Sequence, residues 1–340
     1  LNTGPALTQD APAADAATPG GPDTRRILLL AISRYGTLIG LLIMVVAFTI
    51  RAPRVFLTVP NLLNILNQSS LTAIIAAGLT MTLVVGQFDL SIGYTASFAG
   101  LLVVGFIAKN GIPLLVAIPL VLLVGTTIGT VNGMLVTKAR INAVIATLGV
   151  GTTLTGFGFA YSRFPIAQGV PTSFTDIALG KALLGIPNPI IIMAVVLAVL
   201  WVILNKTDLG QKMQAVGGNA EAARLSGIRI DRVKVFAFAT AGLCAALTGA
   251  LLSSLLGSGT LAAADGYLLD AFAAVFLGSA TLRDGEFHIV GTLVGVLIIA
   301  VGFNGLSIFG APTYFQPIFK GAILVLAVGL STLARRYAKA

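Results

Sequence analysis

About ten runs of apolar residues leave this 340-residue chain little choice of fold, because each is close to the ~20 residues a helix needs to cross ~30 Å of hydrocarbon. In hydrocarbon every backbone N–H and C=O has to be satisfied within the protein, and helices do this segment by segment. The runs cover residues 27–50, 62–85, 91–108, 113–136, 142–162, 188–204, 232–256, 267–281, 287–308 and 315–333. The eighth is short, and the second carries Asn64, Asn67, Gln68, Ser69 and Ser70 in its first half. Only 10% of residues are charged and 56% are hydrophobic, whereas a soluble domain has about a quarter charged. The expected fold class is all-α: a polytopic membrane protein with about ten transmembrane helices.

The charges set an orientation. With the N-terminus inside, Arg25, Arg26, Lys138, Arg140, Lys206, Lys212, Arg224, Arg229, Arg232, Lys234, Arg283, Arg335, Arg336 and Lys339 fall in the cytoplasm. Arg51, Arg54, Lys109, Arg163 and Lys181 fall outside, so the bias is fourteen to five. That is the positive-inside pattern, with both termini cytoplasmic and five helices in each half. The net charge of +9 is therefore spread over short loops, and no nucleic-acid partner is expected. Arg34 and Lys320 lie near span ends and are expected to snorkel to lipid headgroups. One Cys (Cys244) and one His (His288) exclude a disulfide framework and a Cys/His metal cluster. Cys244 reads as a small packing residue, and His288 beside Glu286 is too isolated for a proton relay. Residues 1–26, rich in Ala, Pro, Gly, Thr and Asp at their start, read as a disordered cytoplasmic tail, and 335–340 as a C-terminal one. No basic start followed by an apolar core marks a signal peptide. Between the tails lies a transmembrane domain, 27–334.

Two spans are interrupted. The stretch VVGQFDLSIG at 84–93 breaks an apolar run with Gly86, Asp89, Ser91 and Gly93. A carboxylate at bilayer depth costs roughly 2.5–3.5 kcal/mol on insertion scales. Asp89 or Ser91 can accept hydrogen bonds from the N–H groups that open the next helix, and the glycines let the backbone turn. Two readings stay open: a structural cap beside a translocation path, or direct contact with cargo. A second break is expected over 278–286, loosely similar to the first through Gly278, Leu282 and Gly285. Asp270 just before it can pair with a Lys or Arg, or polarise a sugar hydroxyl. Asn-Gly follows an apolar run twice, at Asn132-Gly133 and at Asn304-Gly305. Interrupted helices in two halves point to a transporter pathway.

The cytoplasmic loop 205–231 is patterned. Leu209, Met213 and Val216 recur at helical spacing, Gly217-Gly218 breaks the chain, Asn219 can cap a second helix, and Gly227 supplies a left-handed stop. Ala222, Ala223 and Leu225 form a small apolar face on that second helix. The alternatives are an interfacial turn anchored to headgroups or a pair of pegs that fit a groove on another protein.

The residue order T-x-x-G-x-x-x-x-A-x-G-x-N-x-x-A-A-x-x-x-G-I, carried by Thr207, Gly210, Ala215, Gly217, Asn219, Ala222, Ala223, Gly227 and Ile228, resembles the coupling loop of bacterial ATP-binding-cassette (ABC) importer permeases of the ribose/xylose type. The G-x-D-L-S-x-G-like break at Asp89–Gly93 and the stretch from Leu269 to Gly285 resemble two further signatures of that family. In the second, Ser279-Ala280-Thr281 and Asp284 depart from its glycine-rich pattern. The resemblance spans residues 35–333. It implies a transmembrane subunit in a bacterial cytoplasmic (inner) membrane that forms the path for a monosaccharide. A second permease copy or paralogue, two cytoplasmic ATPase subunits and a periplasmic or extracellular sugar-binding protein would complete the importer. No Walker A pattern occurs in the chain, so it is not expected to be an enzyme. ATP and Mg would be used by the partner, with no cofactor bound here. The path candidates are Gly86, Asp89, Ser91, Gly93, Asp270, Gly278 and Asn304. A related permease for branched-chain amino acids or nucleosides is the near alternative, and an ion-coupled secondary transporter the distant one. A membrane-embedded enzyme comes last.

Overall fold

A computed structural model describes residues 24–182, 185–279 and 285–323, together with 325 and 329. Most of the expected N-terminal tail, the 335–340 tail, Arg283 and residues 280–284 of the second expected break lie outside the described residues. Thr24–Arg26, expected in the tail, already belong to helix α1.

Each expected span falls on a helix. In chain order these are α1 (Thr24–Arg51), α2 (Val59–Val84), α3 (Ile92–Ala108), α4 (Leu114–Thr137), α5 (Ala143–Tyr161), α7 (Asn188–Lys206), α10 (Ile230–Leu256), α11 (Gly266–Ser279) and α12 (Ile289–Ile308). A last helix, α13, starts at 315 and is described to 323. Between them lie the short α6 (Thr172–Leu179), α8 (Asp208–Gly218) and α9 (Ala220–Leu225). Among the described residues, α2, α4, α5, α7, α10 and α12 are long and apolar enough to cross a membrane. Helices α3 and α11 are apolar but shorter, and each is preceded by an irregular stretch, 85–91 and 257–265.

Two helices, α2 and α10, organise the packing and run antiparallel: Gly78 lies against Cys244, and the Thr248 hydroxyl donates to the Leu71 carbonyl at 3.5 Å. Their partners are exchanged. Helix α10 lies on α3 and α4, and α2 lies on α11 and α12, so each central helix is held by the neighbours of the other. Small residues make this possible. A Cβ at Gly242 on α10 would strike the Gly125 carbonyl, and one at Gly129 on α4 the Phe238 carbonyl. The backbones are therefore in direct contact, as in membrane helix pairs built on small residues. Cys244 is buried at this crossing as a small packing residue. Apolar side chains such as Leu115, Ile145, Phe157 and Val195 stay exposed on α4, α5 and α7, as a lipid-facing rim would require.

Gly242→Ala is expected to cost about 1–3 kcal/mol through overpacking against a carbonyl that cannot move aside. In detergent its melting temperature should fall by several degrees. Gly40→Ala on α1, where a Cβ meets nothing within 4 Å, should leave the melting temperature unchanged or raise it.

Candidate functional site

Helix α8 forms as the apolar spacing requires. The Thr207 hydroxyl accepts the Gly210 N–H (3.2 Å), and Met213 and Val216 are buried. Gly217 and Gly218 do not break it. They form its last turn, and the chain leaves the helix at Asn219. The reason is proximity: a Cβ at Gly217 would collide with the Val84 carbonyl, so the helix end sits directly on the end of α2. The Asn219 side chain then accepts the Ala222 N–H (3.0 Å) and opens α9, and Gly227 ends the peg with φ +83°. The apolar face of α9 divides. Ala223 turns inward at 4% exposure and packs in this chain's own core, whereas Leu225 points out at 83%. Ala222 and Ala215 are also exposed.

From the end of α2 the chain turns at Gly86, whose φ of +71° falls in the left-handed region that an L side chain enters at a cost. It then runs extended to Ser91. Asp89 is 1% exposed and spends one carboxylate oxygen, Oδ1, on the N–H (2.9 Å) and hydroxyl (2.6 Å) of Ser91. The Ser91 hydroxyl also accepts from Asn132 Nδ2 on α4 (2.8 Å), and the Leu90 N–H donates to the Thr147 hydroxyl on α5 (3.0 Å). Asn132 is five residues from the end of α4, so this knot lies about 8 Å in from that helix end. Asp89 thus ties down its own loop and does not reach the first turn of α3. Phe88, between the two, stacks on Phe272 (6.2 Å) and Phe276 (6.5 Å) of α11.

Of the second expected break, 278–286, residues 280–284 lie outside the described residues. Gly278 lies inside α11, where a Cβ would meet the Gly291 carbonyl, and serves the crossing with α12. An irregular stretch in the packing, 257–265, follows α10 as 85–91 follows α2, and is a run of turns from residue 261 on. It turns at Gly257 (φ +61°) and comes back toward the interior. There it meets the start of α3: a Cβ on Gly93 would lie 3.2 Å from the Leu268 Cβ and 3.3 Å from the carbonyl oxygens of Ala264 and Asp265. Ser97 seals the junction by donating to Asp265 Oδ1 (2.8 Å) and accepting the Ala264 N–H (2.9 Å). Sequence reading missed Asp265. The signal was the repeated Gly-Tyr that opens both short helices, Gly93-Tyr94 and Gly266-Tyr267.

The remaining candidates are structural ties in this geometry. Asp270 is ion-paired with Lys320 of α13, so Lys320 does not snorkel to headgroups: an acid close by inside the fold holds it. Asn304 on α12 exchanges two amide hydrogen bonds with Asn61 at the start of α2 (3.0 and 2.9 Å). His288 Nδ1 lies 3.0 Å from the backbone carbonyl of Glu286 and not on its carboxylate. Among the described residues no group of His, Cys, Asp and Glu could hold a metal.

The profile of a family described as "Branched-chain amino acid transport system / permease component" matches residues 61–328. The chain is 40% identical over 277 residues to the ribose import permease of Haemophilus influenzae, covering 80% of this chain and 85% of that one. It is 39% identical over 298 residues to the ribose import permease of Bacillus subtilis (87% and 92% covered). It is 31% identical over 300 residues to the D-allose transport system permease of Escherichia coli (88% and 92% covered). No solved structure matches significantly.

Two outcomes are expected from the peg and the knot. Ala223→Glu places a carboxylate in this chain's own core and should lower the yield of monodisperse protein on size exclusion severalfold, whereas Leu225→Glu should not change it. Ser91→Ala removes the hydroxyl that joins Asp89 to Asn132 and should destabilise by about 1–3 kcal/mol in detergent unfolding.

Proposed function

The chain belongs to the branched-chain amino acid transport system permease family, and from that premise we propose that it is the membrane-spanning subunit of an ABC importer for a monosaccharide of the ribose or allose kind. It is a transport subunit and not itself catalytic. The observation that carries the sugar assignment is the identity of 38–40% to ribose import permeases over at least 80% of this chain. The partners are two cytoplasmic ATPase subunits, a second permease copy or paralogue, and a soluble sugar-binding protein that delivers cargo from outside. ATP and Mg belong to the ATPase subunits.

In this reading the ten apolar helices cross the inner membrane as two five-helix halves, with both termini and the 205–231 loop in the cytoplasm. Helices α8 and α9 then present Ala215, Ala222 and Leu225 to the ATPase. The force enters there. Through Gly217 on Val84, movement of α8 reaches the end of α2, and from there the 85–91 stretch, whose bonds to Asn132 and Thr147 pass it to α4 and α5. Path-facing and path-closed packings of these helices are the two states that ATP binding biases.

An amino-acid cargo fits this interior less well. A zwitterion needs a fixed cation for its carboxylate, and Lys320 is taken by Asp270. The acid where the 257–265 stretch meets the start of α3, Asp265, would repel a carboxylate and accept hydrogen bonds from a neutral polyol.

Reconstitution of the complete importer in proteoliposomes tests this. ATP-dependent uptake of labelled ribose or allose is expected, with none of leucine. Leu225→Glu should cut uptake at least tenfold while the permease remains monodisperse. Uptake of leucine in place of both sugars would overturn the assignment.

A further inference from the structure

Three carboxylates lie within the helical interior among the described residues, and two of them are tied to neighbours in the fold, Asp89 through Oδ1 alone, its buried Oδ2 having no hydrogen-bond partner. Asp89 is buried against the N–H and hydroxyl of Ser91, and Asp270 is neutralised by Lys320. Asp265 differs. It is partly exposed, it makes no ion pair among the described residues, and its side chain receives one hydrogen bond, from Ser97. Ser97 is eleven residues from the end of α3, which places this carboxylate about 16 Å in from that end. A carboxylate kept at such depth with a single neutral donor is costly, and the protein around it supplies no compensating charge.

Its surroundings suit one kind of ligand group. Asp265 borders a cavity of about 10 Å³, with Tyr94, Ser97 and Phe98 of α3 and Thr155 of α5 on its other sides. That is room for one water or one hydroxyl, with a charged acceptor and three hydroxyl-bearing side chains, Tyr94, Ser97 and Thr155, in the lining. From Asp265 one face of α11 continues through Leu269, Phe272 and Phe276, at i+4, i+7 and i+11. Leu269 is 68% exposed, and the Phe272 and Phe276 rings are stacked 6.1 Å apart, with Phe88 of the first break lying over both. Over about 16 Å this face changes from a carboxylate to a ladder of ring faces. A sugar ring has both complements: hydroxyls that donate to a carboxylate, and a C–H face that lies flat on aromatic rings and excludes water there.

Resting on the sugar reading above, we infer that the sugar crosses along this face of α11, with Asp265 accepting a sugar hydroxyl at mid-depth and the Phe88, Phe272 and Phe276 rings carrying the apolar face toward the cytoplasm. Asp265 is then the specificity-determining acid of the path, and Asp89 and Asp270 hold its walls.

The test uses the complete importer in proteoliposomes, with labelled ribose uptake and binding-protein-stimulated ATP hydrolysis read on the same vesicles. Asp265→Ala and the double change Phe272→Ala/Phe276→Ala should each lower ribose moved per ATP hydrolysed at least tenfold, with stimulated hydrolysis within twofold of wild type. Asp265→Asn keeps the shape and the Ser97 contact, so it reads the charge even where the alanine variant fails to fold; a loss of at least threefold is expected. Wild-type ratios in both Asp265→Asn and the double variant would overturn the inference while leaving the sugar assignment standing. A wild-type importer that carries neither ribose nor allose would end both.

Discussion

Backbone that leaves a helix inside a hydrocarbon layer has no water to turn to, and among the described residues two irregular stretches, 85–91 and 257–265, return into the packed helices. Every consequence of interest follows from how those two stretches find hydrogen-bond partners. Along 85–91 the Gly86 and Gln87 N–H groups fold back on Leu83 and Thr82, Leu90 goes to Thr147, and Ser91 goes to Asp89. Along 257–265 Gly259 exchanges two backbone bonds with Ile166 of the long outer connection, and Ala264 goes to Ser97. Irregular backbone at that depth is tolerated where protein or a wet cavity surrounds it. Side-chain hydroxyls on neighbouring helices are therefore part of the fold's backbone bonding, and moving a helix moves the stretch bonded to it.

The antiparallel course of α2 and α10 makes the two stretches enter from opposite ends, and the short helices α3 and α11 start where they meet. The arrangement resembles the broken helices of transporters built from inverted repeats, whose cargo sites lie near mid-depth. It also explains why the pegs of the cytoplasmic loop end where they do. Helix α8 has no side chain at Gly217 and so touches the last carbonyl of α2, immediately before the first stretch begins. Few side chains separate the proposed entry point of force from the backbone that would shift.

Much of this was legible in the residues. Apolar runs of the right length located the six long apolar helices and the three shorter ones among the described residues, since in a membrane chain hydropathy and backbone satisfaction point to the same segments. The cap of α9 at Asn219, and the turns at Gly86 and Gly227, were readable because each depends on one residue and its near neighbours. What depends on distant partners was not. Gly278 sits in a context resembling a break, but its missing side chain answers to Gly291 on another helix. Ala223 belongs to an apolar stretch that six residues of periodicity cannot divide into an inner and an outer face. Lys320 looked like a headgroup anchor because Asp270, fifty residues earlier, is invisible to local pattern. Asp265 was passed over because it lies in what counts as an outer loop, and only the fold returns that loop to the interior.

The central claim is that α8 and the 85–91 stretch move as one body when the ATPase subunits close. Spin labels at Leu225 and Gln87, and at Leu225 and Leu115 on the far end of α4, measure this directly by double electron–electron resonance in the assembled importer. On ATP binding the Leu225–Gln87 distance should hold within about 2 Å while the Leu225–Leu115 distance shifts by more, as domain-scale rearrangements on binding do. A peg that moves away from Gln87, with the break left in place, would contradict the account.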